Sequence, residues 1–325
     1  MTDQTMNPNA LQAVAESAPA AAPLTLHPTQ TFLWSVRREL WEHRSLYIAP
    51  LAVSALLVIG TLIAAFTLSH ASITLSNGDA AQQGQLLAAL NIEQQRQLVE
   101  APFDIAAYAL MAAAFLVAFF YSLDALYGER RDRSILFWKS MPVSDTTAVL
   151  SKALVPILII PLVAFAVTIL TQAAMSLVVA VGLAAHGIHP VLSIAQLPLI
   201  QMSAMLLFHL IVIHGLWYAP IYAWLLLVSS FARRAPFLWA VLPPLGIMLV
   251  EFTAFHTTYF ATLLKNRFDA NGLGNSFDLK HVAVNGMSAM HPAALFTAPG
   301  LWLGLIVAAL FLGAAIQIRR TRGPL

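Results

Sequence analysis

Between Lys152 and Arg233 the chain reads ALVPILIIPLVAFAVTILTQAAMSLVVAVGLAAHGIHPVLSIAQLPLIQMSAMLLFHLIVIHGLWYAPIYAWLLLVSSFA (153–232), and those 80 residues contain no Asp, Glu, Lys or Arg. A helix crosses the roughly 30 Å hydrocarbon core with about 20 apolar residues. The stretch is too long for one crossing and right for two. His186, Gly187, His189 and Pro190 mark a turn near its middle. The reading predicts span three over Val149–Leu183 and span four over Leu197–Ser230. Pro156, Pro161 and Pro220 are the expected kinks.

The same reading extends outward. Apolar runs place span one at Ile48–Leu68, span two at Ile105–Leu126, span five at Phe237–Leu264 and span six at Leu301–Ile318. Pro243–Pro244 is expected to interrupt span five. The whole composition agrees. Of 325 residues, 59% are hydrophobic and 10% charged, and mean hydropathy is +0.75. Soluble domains carry roughly 25% charged residues. These values exclude a soluble enzyme, a disordered chain and a disulfide scaffold. With no cysteine, thiolate metal sites, iron–sulfur clusters and a cysteine nucleophile are also excluded.

Net charge is only +2, yet the basic residues are unevenly placed. Thirteen of the 17 Lys and Arg fall in the segments that six spans put on the side of the termini. They include Arg37, Arg38 and Arg44, the group Arg130 to Lys152, Arg233 and Arg234, and Arg319, Arg320 and Arg322. The positive-inside rule then predicts a multi-pass protein of the plasma (inner) membrane with both termini cytoplasmic. Residues 1–27, rich in Ala, Pro, Gln and Asn, read as a disordered cytoplasmic tail. On the segment Thr29–Arg44, Phe32, Leu33, Val36 and Leu40 share one helical face, and Ser35, Arg38, Glu39 and Glu42 another. Trp34 and Trp41 flank them, as in a helix lying at the membrane interface. The outer loops are expected at 69–104, with short helices in the Gln-rich stretch Ala80–Glu100, and at 265–298. A re-entrant pair of half-helices is expected within 282–299.

No Gly–Lys dipeptide occurs, so the chain has no phosphate loop; H-E-x-x-H and G-x-S-x-G are absent too. His209 and His214, five apart, are about 140° apart on an α-helix and are not expected to form a same-face metal pair. The residues that carry information lie between spans two and three. Charges Glu129, Arg130, Arg131, Asp132 and Arg133 are followed by Ser134, then by an apolar patch that ends in Phe137 and Trp138, then by Pro142, Val143 and Ser144. Ser144 or Asp145 can cap the next helix, which carries Lys152. Such a short amphipathic segment offers an aromatic anchor with a charged rim, as docking surfaces do. The same pattern also fits a solvated loop.

Here the chain resembles the permease subunits of ABC-2 type transporters. Their cytoplasmic stretch after span two has the form E-R-E-x-G-T-x-x-x-L-x-x-x-P-[VI]-S-R, with a Lys further on. Glu129-Arg130-Arg131-Asp132 covers its start, Ser134 stands at the Thr, and Pro142-Val143-Ser144 and Lys152 match. Arg133 replaces the Gly and Asp145 the Arg. The resemblance implies an all-α integral membrane protein with six transmembrane helices. An N-terminal interfacial elbow helix precedes span one, and a cytoplasmic coupling helix lies within the coupling loop 127–152. It implies one permease domain over 28–325 that exports a substrate and is not itself an enzyme. The coupling residues are then Glu129 to Ser134, Phe137, Trp138, Pro142, Val143, Ser144 and Lys152. The partners are a cytoplasmic ABC ATPase subunit, which holds ATP and Mg, a second permease subunit in a homo- or heterodimer, and the lipid bilayer, with no nucleic acid. This chain itself needs no cofactor.

Glu251 sits deep in span five, with His256 and Tyr259 one and two turns on. An ionised group at mid-span costs roughly 2.5–3.5 kcal/mol or more. Two readings stand: a polar pathway, which makes a proton-coupled secondary transporter using Glu251 and His256 the alternative function, or a structural partner. Asp124, at the inner end of span two, is expected to pair with an arginine of the first helix such as Arg38.

Overall fold

The computed structural model describes residues 28–74, 92–140, 143–185, 199–268 and 296–322. They form helices joined by short connections, with no strand among the described residues. The tail at 1–27, the centre of the first outer loop and nearly all of the re-entrant segment lie outside them.

In chain order the elements are α1 (Pro28–Glu42), α2 (Ser45–Thr74), α3 (Ile92–Asp124), the short α4 (Tyr127–Arg131) and α5 (Ser134–Ser140), and α6 (Asp145–Leu154). A π-helical turn, Val155–Ile159, continues α6 into α7 (Ile160–Ala185). Then come α8 (Leu199–His209), a second π-helical segment (Leu210–Trp217), α9 (Ala219–Phe231) and α10 (Pro236–Val250). A third π turn (Glu251–Phe255), α11 (Tyr259–Phe268) and α12 (Pro299–Thr321) complete the chain.

Five stretches are long and apolar enough to cross a membrane: Ser45–Ala65, Ala101–Arg131, Asp145–Gly182, Pro236–Phe255 and Pro299–Thr321. The pair Ser203–Trp217 and Ala219–Phe231, bent by 46°, makes a sixth if counted as one span. The bend follows from the backbone. Tyr218 N–H returns to the Ile213 carbonyl, five residues back, at 3.0 Å. Pro220 then lacks a donor at the start of α9. Span five differs from expectation. Pro243 and Pro244 lie inside α10 without ending it, and the break comes at Glu251–His256, where His256 turns left-handed at φ 51°. In the first outer loop, α3 begins at Ile92, so the second half of the Gln-rich stretch is the start of a 33-residue helix.

The core lies where α3, α7, the π segment, α9 and α12 meet. Leu110, Ile160, Leu210, Ile213, Tyr222 and Leu226 are fully buried there. Ala107, Ala114 and Ala118 line the buried side of α3, and small residues let backbones approach closely. Ser54 and Thr171 hydroxyls meet at 2.7 Å between α2 and α7. The outer surfaces of α2, α7, α10 and α12 are apolar. Leu56, Leu170, Leu249 and Leu310 are each more than three-fifths exposed. A water-facing protein rarely shows such continuous apolar area, whereas hydrocarbon accepts it.

Candidate functional site

The charged segment after α3 folds back on the end of the bundle. The first backbone donors of α4, Leu126 N and Tyr127 N, have no partner inside their own helix. They donate instead to Ser229 Oγ of α9, at 3.0 and 2.8 Å. Arg130 completes the junction from the other side. Its Nη1 donates to the carbonyls of Ser230 (2.7 Å) and Ala232 (3.1 Å), the orphan acceptors at the end of α9. Arg133 joins α4 to α5 with φ 58°, the left-handed region that favours glycine. Ser144 caps α6, its Oγ accepting from Thr147 N–H at 3.0 Å. That leaves the Asp145 carboxylate for Arg319, whose Nε donates to it at 3.0 Å.

Glu129 is the hub. It accepts from Arg38 Nη2 at 2.8 Å, lies 3.3 Å from Lys152 Nζ, and pairs with Arg319 Nη1. Lys152 also donates to Glu39 Oε1 at 2.7 Å, and the Tyr121 hydroxyl to Glu39 Oε2 at 2.8 Å. Glu39, Glu129, Lys152 and Arg319 are all buried. Three carboxylates (Glu39, Glu129, Asp145) and three cations (Arg38, Lys152, Arg319) therefore meet in one largely buried network, with the exposed Glu42 joined to Arg38 at its edge. Burial pulls the Arg38 guanidinium down, but Glu39, Glu129 and Glu42 outweigh it, and its pKa rises above the ordinary arginine value. The network ties α1, α4, α6 and the end of α12 together. It explains why α1 presents its polar stripe inward and leaves Leu33, Trp34 and Trp41 exposed. Arg37 rests between those two indoles, 5.6 and 4.7 Å from the ring centroids.

The expected coupling residues thus divide. Glu129, Arg130 and Lys152 are interior, while Arg131, Asp132, Arg133 and Phe137 are exposed, together with Leu136. Ser134 and Val143 are half-buried. The Trp138 side chain and Pro142 lie outside the described residues. Between α1, α6 and the end of α12 a cavity of about 590 Å³ reaches the network, lined among others by Trp34, Lys139, Val143 and Arg319. Arg38 and Asp124 do not pair. Asp124 faces Arg131 at 3.8 Å, because Glu129 and Glu39 reach Arg38 from the interior. Glu39 and Arg319 are the residues that the loop motif misses. The polar stripe on α1 hinted at Glu39; nothing distinguished Arg319 from its neighbours Arg320 and Arg322. Glu39, Glu42 and His43 hold ligand atoms within 4.8 Å of one another, but Lys152 and Tyr121 already occupy the Glu39 carboxylate.

Glu251 and its neighbours make a second polar group. The Glu251 carboxylate accepts from Tyr259 N (2.6 Å), Phe260 N (2.9 Å) and Thr257 Oγ1 (3.0 Å). It is the cap of α11, with its charge at that helix's positive end. No hydrogen bond joins it to His256, and the Tyr259 side chain is largely exposed. The histidines of span four also differ from expectation. The π-helical backbone brings residues five apart onto one face, so the His209 and His214 rings stand 5.8 Å apart in the core, beside Tyr218 and Phe115.

Comparison of the chain with protein-family models, curated proteins and solved structures finds no match.

Proposed function

We propose that this protein is the membrane subunit of an ATP-driven exporter of the ABC-2 permease type, coupled through residues 127–152 to a separate ATPase that holds ATP and Mg. The observation that carries the reading is the division of this loop. An exposed apolar and basic face (Arg131–Arg133, Leu136, Phe137) adjoins Glu129 along the chain, and Glu129 belongs to a buried ion network that reaches four helices. A partner pressing on the first moves the second. The α4–α9 junction at Ser229 and Arg130 extends that lever to span four. The left-handed Arg133 also supports the resemblance, since the family pattern carries Gly there.

In this reading there are six spans and both termini are cytoplasmic. α1 is the interfacial elbow, its exposed Trp34 and Trp41 at headgroup level. α5 is the coupling helix, and a second permease subunit completes the transporter in the plasma (inner) membrane. Glu251 serves as a helix cap. Three donors already hold its carboxylate, which argues for structure over a proton relay.

The test is affinity purification in mild detergent. Co-purification of a polypeptide carrying a phosphate loop, lost on Phe137→Ala with Leu136→Ala, is the expected result. A chain that purifies alone and moves substrate on a proton gradient without nucleotide would overturn it. A reporter fused after Leu325 that is active only outside the cytoplasm would overturn the topology.

A further inference from the structure

Arg267 stands at the end of α11, its guanidinium against Trp217 and the start of α12. Its Nη1 donates to the Gly300 carbonyl at 2.9 Å, and its guanidinium lies 4.1 Å from the Trp217 ring centroid. The backbone around it is pinned: Trp217 Nε1 donates to the Arg267 carbonyl at 2.9 Å, and the Tyr218 hydroxyl to that of Phe268 at 3.1 Å. Its remaining donors, Nε and Nη2, are shut off from solvent and find no hydrogen-bond partner among the described residues. Among the described residues no carboxylate pairs with it. Burial lowers its pKa to about 10, so it stays charged at neutral pH. The residue as a whole is half-buried, but a charged edge that is both dry and unpaired is unfavourable.

The two idle atoms are informative. Nε and Nη2 form one edge of the guanidinium, and that edge is a fork that matches the two oxygens of a carboxylate or phosphate. It rests on the first turns of α12, where Gly304 has no side chain; a Cβ there would overlap Nη2. The surroundings are aromatic and apolar, with Trp217, Phe268 and Phe115 close by. We propose that Arg267 is an anion-binding residue whose Nε–Nη2 edge, lifted off Gly304, grips the carboxylate or phosphate of an amphipathic ligand bedded against Trp217 and Phe268. The closed arrangement in this structure is then the unliganded state, and the guanidinium swings off Gly304 while its backbone stays pinned, because a paired guanidinium is more stable than an unpaired one. Its occupant is a lipid headgroup or a free organic anion; the chemistry is the same.

Isothermal titration of the purified full-length protein in a neutral detergent tests this, with no ATPase present, so the outcome is independent of the transporter reading. The probes are inorganic phosphate, octanoate and dihexanoyl phosphatidate, with dihexanoylglycerol as the uncharged control. At least one anionic probe should bind saturably and about tenfold or more tighter than the control. Phosphatidate alone points to a lipid headgroup, and octanoate or phosphate to a free anion. Arg267→Lys keeps the charge but loses the fork, and should weaken binding about tenfold with helicity unchanged by circular dichroism. Gly304→Ala denies the guanidinium its closed seat, and should tighten binding severalfold by raising the competent population. Equal affinity for charged and uncharged probes overturns the proposal, as does unchanged affinity in either variant.

Discussion

Neutralising Glu129 is the sharpest perturbation of the buried network. Glu129→Gln is nearly isosteric, so packing survives and only the charge goes. Three cations, Arg38, Lys152 and Arg319, then face two carboxylates, Glu39 and Asp145. Breaking a buried pair from one side costs about 3–5 kcal/mol, because the partner charge stays buried. One kcal/mol moves the midpoint of a chain of 150–250 residues by about 2–4 °C. This chain is longer, so we expect a fall of about 5–10 °C in the apparent midpoint in detergent. Arg319→Met alone should cost a similar amount, since it releases both Glu129 and Asp145. The double variant should cost less than the sum of the two by about 0.5–3 kcal/mol, the range for residues in one network. Phe137→Ala, at a position 60% exposed, should move the midpoint by no more than ~1 °C. A shift below ~1 °C for Glu129→Gln, or strictly additive singles, would refute the argument: Glu129 would then be solvated and the network would not bind the helices together.

Three further outcomes follow from single contacts. Ser229→Ala strips the acceptor from Leu126 N and Tyr127 N and should cost about 1–3 kcal/mol; faster amide exchange at those two residues is the check. Gly215→Ala places a Cβ on the Ile157 carbonyl, where the two π-helical segments touch, and should destabilise by about 1–3 kcal/mol, read as a lower midpoint. Arg133→Gly relieves a left-handed backbone and should stabilise by about 1 kcal/mol; an unchanged or lowered midpoint counts against the strain argument.

The spans were legible because hydrocarbon leaves a mark that needs no partner to read. Each crossing reads as a long run poor in charge, and the described helices hold five such stretches, or six if the bent pair is one span. Where those helices bend was less legible. Pro243 and Pro244 read as a break, yet a membrane helix tolerates proline where neighbouring groups re-satisfy the freed carbonyls. The real break, at Glu251–His256, carries no proline at all. His209 and His214 were placed on different faces because 100° per residue assumes an α-helix, and the π-helical segment invalidates that angle.

The loop posed a different difficulty. α4 and α5 have 5 and 7 residues, under two turns each, so no periodicity tells an inward charge from an outward one. The partners that decide it are far away in sequence: Arg38 and Arg319 lie 91 and 190 residues from Glu129. A local motif therefore groups Glu129 with Arg131, although one is buried and the other exposed. In the proposed coupling role the grouping makes physical sense, because the two would do successive parts of one task. A residue that touches a partner must be exposed, whereas one that passes the displacement on must be buried and bonded to several helices. The exposed members should therefore change partner affinity with little effect on stability, and the buried members should change stability even with no partner present.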